Sequence, residues 1–367
     1  MLRATRGDRA EARARPETDL ARRRMRNEPA RSGCWSALAR VLLRLATLPL
    51  LAFCAAALWF DGTASRGLAG ALAAGFVLVS LALLLRRPAR RNLLLALVPS
   101  AAVLAWWFSL QPRNDRVWQP DVERPPNCSF DGERVTISNV RHAAWRSDTE
   151  CDPHWETHEY DLSQVGGMDL FLSYWGPRAI AHTILSWEFT DGRHLAISIE
   201  TRKEVGESYS AVRGFFRQYE LYYVVADERD VIRVRTDFRG EDVYLYRLRA
   251  PPDRARAILR QYLLRIDRLS REPEWYNAVD KNCTTVIFEH VRPIVGHVPF
   301  DLRMLANGHI DEMLYEQGAI NASLPFETLR EASRVSAAAR AAGDTPDFSR
   351  AIRQNLPARP PPPPPGK

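Results

Sequence analysis

The sequence predicts an α+β domain, with a mostly antiparallel sheet and helices in its C-terminal half, preceded by three transmembrane helices. Three observations lead to this fold class. The first third of the 367-residue chain contains three long apolar stretches, residues 134–248 contain short strand-like runs, and amphipathic helical patterns follow from residue 251. The chain therefore combines a membrane part with one large exported domain.

The N-terminal arm is strongly basic. Residues 1–31 contain ten arginines against five acidic residues and almost no large apolar side chains. Such a composition buries too little apolar surface to fold, so we expect residues 1–40 to form a disordered arm. A basic arm can bind nucleic acid, but directly before apolar spans it more often keeps its end of the chain in the cytoplasm. We therefore expect a cytoplasmic arm and no nucleic-acid partner.

Three apolar stretches are each long enough to cross a hydrocarbon core about 30 Å thick. Within a predicted membrane region 41–110, they are Val41–Phe60, Gly67–Leu85 and Leu93–Leu110. A cleavable signal peptide has only one, shorter apolar region, so it does not explain this pattern. The connector at residues 86–92 contains four arginines, whereas the preceding connector contains only Arg66. The positive-inside rule then predicts a bacterial inner-membrane protein with a cytoplasmic N-terminus and residues 111–367 in the periplasm.

The exported part has three predicted sections. Residues 111–127 are rich in proline and charge and read as a linker, residues 128–345 as a folded domain, and residues 346–367 as a proline-rich tail with no core to join. Residue alternation predicts strands over residues 134–140, 168–175, 181–189, 194–200, 219–226, 231–236 and 242–248. Helical spacing predicts helices over residues 251–271, from about Thr284 to before Pro293, and over residues 325–343.

The exported part contains three cysteines, Cys128, Cys151 and Cys283. An oxidising compartment permits a disulfide between Cys128 and Cys151, which leaves Cys283 as the odd thiol. A single cysteine is most often a buried, inert residue. Asp280 or Asn282, however, can cap a helix that begins next to Cys283, and a helix N-terminus favours the reactive thiolate. Asn282 and the free amides there can also donate to an oxyanion.

A nucleophilic thiol needs a base, and His182 and His194 are the strongest candidates for it among the eight histidines. They lie on two strands joined by Thr190–Gly192. A three-residue loop pairs residues whose numbers sum to 382, whereas a two-residue loop would shift this register by one. This register places Glu200 opposite His182, where it can orient the ring as in a catalytic triad, and Glu188 opposite His194. The alternative is that His182 is only a hydrogen-bonded histidine of the sheet and Glu200 only a solvated side chain on the strand face. His290 lies about 10 Å along the helix from Cys283, too far to pair with it.

Four motifs resemble the bacterial family named for the N-terminal periplasmic domain of the Lnb lipoprotein N-acyltransferase. They are SYWGPRAIAHTILSWEF, LAISIETRKEVGESYSAVRGFF, QYELYYVVADERD and EWYNAVDKNCTTVI, within roughly residues 113–300. The order of a histidine strand, a polar residue on the next strand and "NC" opening a helix is also similar to circularly permuted papain-like thiol enzymes. The resemblance implies a permuted papain-like domain and a thiol acyltransferase without a cofactor.

The resemblance implies that Cys283 takes an acyl chain from a phospholipid as a thioester. It then passes this chain to the α-amine of a lipoprotein or another lipid-linked acceptor. His182 matches the base position, Glu200 is the expected third member, and His194 is the second choice for that place. Arg213 and Arg217, among aromatic residues, suit a phosphate head group, although core packing with solvated arginines explains them equally well.

Two other functions use the same residues differently. A periplasmic cysteine peptidase or amidase would let water or murein accept the acyl group, and an envelope binding module would keep the fold without turnover. The sequence contains no cysteine or histidine spacing typical of a metal site and no phosphate-binding loop, so we expect neither a metal nor a nucleotide.

Overall fold

The computed structural model describes residues 31–86, 89–296, 298–299, 301–304 and 306–362. The chain divides into two compact units, Met1–Phe108 and Ser109–Lys367. Most of the predicted basic arm, His297 and the last five residues of the predicted tail lie outside the described residues.

The first unit is helical. Its helices are α1 (Arg31–Asp61), α2 (Arg66–Leu85) and α3 (Ala89–Ser109, whose last residue belongs to the second unit). By length and composition, two segments are able to cross a membrane, Val41–Asp61 and Arg66–Leu85. Only 17% of the apolar stretch of the first segment and 22% of that of the second are buried.

The third predicted span does not meet the same criterion, so the prediction of three spans is corrected to two candidates. The apolar part of α3 is Leu94–Ser109. Its 16 residues extend about 24 Å as a helix, less than the thickness of the hydrocarbon core. The cause is visible in the sequence, because Arg90, Arg91 and Asn92 occupy the first turn of α3.

The second unit is built on a mixed sheet of eight strands, which agrees with the predicted α+β class. The strands are β1 (Asn127–Asp131), β2 (Arg134–Trp145), β3 (Cys151–Asp161), β4 (Val165–Tyr174), β5 (His182–Phe189), β6 (His194–Arg202), β7 (Glu220–Ala226) and β8 (Asp242–Arg247). Their order is β1-β2-β7-β6-β5-β4-β8, and β3 pairs with β2. The β2–β7 contact is parallel, and the other strand pairs are antiparallel.

The hairpin between β5 and β6 has the register expected from its three-residue loop. The Phe189 N–H donates to the Arg193 carbonyl at 2.9 Å, and Gly192 has a φ of +86°, which glycine adopts without strain. Ile184 pairs with Ser198 and Glu188 with His194, so paired residues sum to 382 as predicted.

Residues 231–236, predicted as a strand, are helical instead. Helix α4 covers Glu228–Arg233, and a π-helical turn follows at Val234–Phe238. The Asp227 side chain accepts the Asp230 N–H and caps α4, while Val231, Ile232 and Val234 are buried in the apolar core. Tertiary packing and the cap thus outweigh the strand preference of these β-branched residues.

Strands β1 and β3 were not predicted. The residues of β3, CDPHWETHEYD, are mostly polar and include a proline, and their apolar alternation is weak. Pairing with β2 makes β3 a strand, and proline is tolerated in strands that lack a partner on one side.

Six further α-helices follow β8 in the described part of the chain. They are α5 (Pro252–Arg271), α6 (Cys283–Val295), α7 (Ile310–Glu316), α8 (Phe326–Ala332), α9 (Ser336–Ala342) and α10 (Phe348–Ala351). The prediction for residues 251–271 agrees with α5. Helix α6 continues through Pro293 to Val295, three residues beyond the predicted stop, and Gly296 is its C-cap.

The single helix predicted over residues 325–343 is interrupted between α8 and α9. The Leu245 N–H donates to the Ser333 carbonyl at 2.8 Å, and the Val335 N–H donates to the Val243 carbonyl at 2.9 Å. These bonds pair the connecting residues with β8, which a continuous helix could not do.

The predicted linker and tail both pack against the sheet. Trp118, in the linker, is buried and forms a bridge to Glu204. In the tail, Phe348 and Ile352 are buried, and the Arg353 guanidinium lies against carboxylates of the sheet and of α4. The folded domain therefore continues beyond residue 345, although sequence composition placed its boundary there.

Cys128 and Cys151 are free and buried, so the disulfide that the sequence permits is not formed. Cys128 pairs with Ile137 and Cys151 with Trp145, at opposite ends of β2. Eight residues of strand separate these positions by about 25 Å, far beyond the reach of a disulfide.

Candidate active site

Cys283 is the first residue of α6, and Asn282 is its N-cap. The Asn282 Oδ1 accepts the backbone N–H groups of Thr284 and Thr285, each at 3.0 Å. The Thr285 Oγ1 in turn accepts the Asn282 N–H at 3.0 Å, which completes a capping box. The thiol therefore lies in the positive end of the helix field, which favours its ionised form.

His182 is the first residue of β5, a strand with partners on both sides. Its Nε2 lies 2.7 Å from the Ser198 Oγ and 3.1 Å from the Glu200 Oε1. The Ser198 hydroxyl also donates to the Glu200 Oε1 at 2.7 Å. Because Nε2 is engaged on this side, Nδ1 is the ring nitrogen left for the thiol.

The electrostatics of Cys283 and His182 depend on each other. Burial raises the pKa of Cys283, but the hydrogen bond and positive charge of His182 outweigh it and lower this pKa to about 6. Burial lowers the pKa of His182, but the negative charge of Glu200 and the hydrogen bonds to Cys283 and Glu200 together outweigh it and raise this pKa to about 9. Between these two values the pair is a thiolate and an imidazolium, the reactive state of a cysteine nucleophile.

Glu200 is held ionised by a second cation, Arg235. Burial raises the pKa of Glu200, but the charges of His182 and Arg235 hold it well below the ordinary value. The Arg235 Nη2 donates to Glu200 at 2.8 Å, and its Nη1 lies 3.3 Å from the Glu241 Oε2. Glu241 accepts the hydroxyl of Ser173, the cross-strand partner of His182. These contacts thus link His182, through Glu200, Arg235 and Glu241, to Ser173 on β4, the strand paired with β5.

Sequence reasoning missed Arg235 because residues 231–236 were predicted as a strand. A π-helical turn carries Arg235 to the carboxylates, and such turns are rare and often occur at functional sites. Ser198 was missed as well. Its position two residues before Glu200, on the same face of the strand, was the pattern that could have identified it.

A group of buried polar side chains lies on the other side of the thiol. The Asn307 Nδ2 is 3.8 Å from the Cys283 Sγ and 2.6 Å from the Thr284 Oγ1. The Thr183 Oγ1 lies 3.4 Å from the Thr284 Oγ1. Asn307 comes from a short 3-10 segment, Asn307–His309, in a stretch that carries no sequence motif, so its position could not be predicted.

The structure brings Cys283, His182 and Glu200 together and separates His194 from them. His194 lies at the opposite end of β6, six residues or about 20 Å from Glu200, and its Nδ1 is 3.2 Å from the Gly192 carbonyl. His290 is buried, its Nε2 lies 2.8 Å from the Tyr223 hydroxyl, and burial with nearby cations lowers its pKa to about 3. His290 is therefore a neutral packing residue.

Asn282 is adjacent to Cys283, and Arg213 and Arg217 lie on the segment between β6 and β7. The Asn282 Nδ2 donates to the Ala278 carbonyl at 2.9 Å, so both ends of this side chain hold the turn before the helix. Arg213 begins a 3-10 turn, Arg213–Phe215, whose Gly214 carbonyl accepts the Ala278 N–H at 2.8 Å. The Arg217 Nη1 donates to the Leu110 carbonyl at 2.6 Å. A phosphate-binding role for the two arginines stays a prediction.

One group among the described residues has the composition of a metal site, namely Asp169, Glu188 and His194. Arginines already neutralise its carboxylates. Arg353 and Arg359 contact Asp169 at 2.8 and 2.9 Å, and Arg359 contacts Glu188 at 2.7 Å. A cation would have to displace these ion pairs, so the group fits a structural role better than a metal.

Comparison with known families gives one match. Residues 152–308 match the family described as the Lnb N-terminal periplasmic domain, which confirms the resemblance found in the sequence. The matched residues include Cys283, His182, Glu200, Arg235 and Asn307. Searches of curated proteins and of solved structures found no match. The permuted papain-like arrangement stays a prediction.

Proposed function

Because residues 152–308 belong to the Lnb N-terminal periplasmic domain family, we propose that this membrane-associated protein is a periplasmic thiol acyltransferase. The observation that carries this proposal is the buried pair of Cys283, at the capped start of α6, and His182, whose Nε2 lies 3.1 Å from Glu200. This setting lowers the pKa of the thiol and raises that of the imidazole. At neutral pH such a pair supplies both a nucleophile and a proton donor, the two groups that transfer of an acyl chain requires.

In the first step, the Cys283 thiolate attacks the ester carbonyl of a phospholipid. A carbon–sulfur bond forms, the carbon–oxygen bond to glycerol breaks, and the imidazolium of His182 gives its proton to the leaving alkoxide. The products are a thioester on Cys283, a lysophospholipid and neutral His182. Glu200 stabilises the imidazolium and orients its ring through Nε2.

In the second step, the α-amine of a lipoprotein or another lipid-linked amine attacks the thioester carbonyl. Neutral His182 accepts the proton from the amine, a carbon–nitrogen bond forms, and Cys283 leaves as the thiolate. The starting ion pair is restored, so no external oxidant, reductant or cofactor enters the balance.

Exposed apolar side chains on the loops of the site favour a lipid over a peptide as the acyl donor. Trp175 and Ile180 precede His182, Val205 and Val212 follow the strand of Glu200, and Val279 precedes Cys283, and all five are more than half exposed. Large apolar side chains gathered around a polar site typically mark a surface that binds apolar partners. The candidate membrane helices of the first unit would tether this domain to a lipid bilayer.

The test is intact mass of the full-length protein after incubation in phospholipid vesicles. We expect a mass increase of one acyl group, located on Cys283 by peptide mapping and lost on addition of an amine-bearing lipopeptide. Cys283→Ser is the matched control, because its hydroxyl is not ionised at neutral pH. Absence of the adduct together with cleavage of murein peptides would replace acyl transfer by hydrolysis. Absence of both activities would favour a binding module.

A further inference from the structure

The buried amide of Asn307 lies beside the thiol without a role in the proton transfers described above. It is 5% exposed, and its Nδ2 is 3.8 Å from the Cys283 Sγ. Asn282, the donor that the sequence suggested for an oxyanion, uses its side chain to cap α6 and to hold the Ala278 carbonyl. An amide donor close to the sulfur is therefore supplied by Asn307 instead.

The orientation of the Asn307 amide is fixed by its neighbours. Its Oδ1 accepts the Ala181 N–H at 2.9 Å, and a backbone N–H can only donate, so Oδ1 must face Ala181. Nδ2 then faces Thr284 and Cys283. One of its two hydrogens is donated to the Thr284 Oγ1 at 2.6 Å, and the other is directed at the Cys283 Sγ at 3.8 Å, where a group bound at the sulfur can accept it.

We propose that Asn307 donates this hydrogen to the oxyanion that forms when Cys283 attacks an acyl carbonyl. The carbonyl oxygen is two bonds from the sulfur in the tetrahedral intermediate, which brings it within reach of a donor 3.8 Å from Sγ. The Cys283 N–H belongs to the first turn of α6, where backbone amides have no intrahelical acceptor, and it supplies a second donor.

This inference rests on the proposed acyl transfer and adds a catalytic residue to it. A fixed donor in a buried site stabilises developing charge without reorganisation, and removing one such donor typically lowers the rate about 10²- to 10³-fold. Alkylation of the thiolate by iodoacetamide forms no oxyanion, so it measures the thiol alone. The two reactions together separate stabilisation of the oxyanion from positioning of the thiol.

The experiment compares Asn307→Ala with the wild-type full-length protein in phospholipid vesicles. We expect acylation of Cys283 to fall about 10²- to 10³-fold while the iodoacetamide rate stays close to wild type. Asn355→Ala, a change at an exposed asparagine, is the control and should leave both rates unchanged. Acylation by a p-nitrophenyl ester is measured in parallel, since it forms the same oxyanion.

The outcomes distinguish this proposal from the proposed function. If p-nitrophenyl esters acylate Cys283 and phospholipids do not, the lipid substrate is wrong, and the ester still tests Asn307. An Asn307→Ala protein that is acylated at the wild-type rate would overturn the oxyanion role. Parallel loss of acylation and of alkylation would also overturn it, because Asn307 would then only hold the thiol in place.

Discussion

At the scale of single residues, the charge state of the Cys283–His182 pair controls reactivity. The pKa of Cys283 is lowered to about 6 and that of His182 is raised to about 9. Below about pH 6 the thiol is protonated and is not nucleophilic, and above about pH 9 the histidine has no proton to donate. The rate of acyl transfer should therefore be bell-shaped between these limits, whereas alkylation by iodoacetamide should rise through about pH 6 and then stay level. A transfer rate that rises steadily to pH 10 would contradict the ion pair.

Replacing Glu200 by glutamine should weaken the thiolate. Glu200 raises the pKa of His182, so its loss favours neutral imidazole, and without that positive charge the pKa of Cys283 rises. An ordinary thiol with a pKa of about 8.5 is only about 3% ionised at pH 7, so alkylation there should slow by up to about thirtyfold. The pH midpoint of alkylation measures the shift.

Glu188→Gln is the matched control for that prediction, because Glu188 occupies the equivalent place opposite His194 in the same hairpin. It should leave the midpoint near pH 6. An equal shift in both variants would assign the effect to the net charge of the hairpin and not to the Glu200–His182 contact.

The central residues of the candidate site were predictable because the hairpin register follows from local rules. A three-residue turn fixes which side chains are opposed, so Glu200 could be assigned to His182 from the sequence alone. Asn307 and Arg235 could not be found in this way. Both reach the site from segments that are distant in sequence, and only tertiary packing determines where those segments lie.

At the scale of elements, the C-terminal segment links the sheet to α4 through ion pairs of Arg353. Arg353 contacts Asp169 on β4 at 2.8 Å and Glu228 on α4 at 2.5 Å, and these carboxylates are almost fully buried. Arg353→Met would leave the buried Glu228 without its cation and Asp169 with one cation fewer, and it should lower the free energy of unfolding by about 3–5 kcal/mol. Urea unfolding of the protein in detergent, followed by tryptophan fluorescence, measures this loss.

Arg350→Met is the matched control, since Arg350 forms an exposed pair with Asp347 one turn away. Exposed pairs contribute little, so its unfolding midpoint should stay near wild type. The wild-type contribution should also depend on pH. Ion pairing lowers the pKa of Glu228 from 4.5 to about 2, despite burial, so the stabilisation is complete above about pH 4.5 and is lost as the pH falls towards 2.

Local patterns described most elements correctly and failed where distant partners decided the conformation. The apolar alternation of β4 to β8 identified strands whose faces are buried on a common sheet. Residues 333–335 interrupt a helical pattern only because their backbone bonds to β8, and no local feature announces that pairing. The tail beyond residue 345 likewise looked unstructured because it contains few apolar residues, of which Phe348 and Ile352 are buried, and because its other anchoring residues, Arg353 and Arg359, are charged.

The loop that follows β6 provides a second prediction at this scale. Phe215 is partly exposed on the 3-10 turn beside the segment that leads to Cys283. If this loop contacts acyl chains, Phe215→Asp should slow acylation by vesicle phospholipids about thirtyfold, since about 2 kcal/mol of apolar contact is lost. Alkylation by iodoacetamide should not change. Leu264→Asp, at an exposed apolar position on α5, is the control. Equal slowing in both variants would contradict a specific lipid contact.

At the scale of the whole molecule, the number of membrane crossings decides which side the N-terminus occupies. Length and composition support two crossing helices, Val41–Asp61 and Arg66–Leu85, and the apolar part of the third is 16 residues long. With a periplasmic C-terminal domain, two crossings require a periplasmic N-terminus and three require a cytoplasmic one. The arginines of residues 1–31 and 86–91 favour the second arrangement, because the positive-inside rule places both basic segments in the cytoplasm.

The positive-inside rule therefore predicts a cytoplasmic N-terminus, whereas the two candidate spans by themselves predict a periplasmic one. A fluorescent protein fused to the N-terminus should fluoresce in cells, and alkaline phosphatase fused after residue 362 should be active, since each folds only on its own side. Replacing the four arginines of residues 86–91 by glutamine should reduce phosphatase activity, because the charge that holds this connector in the cytoplasm is lost. Lysine replacements at the same four positions are the control and should keep it. Protease digestion of an N-terminal tag in intact spheroplasts would instead establish two crossings.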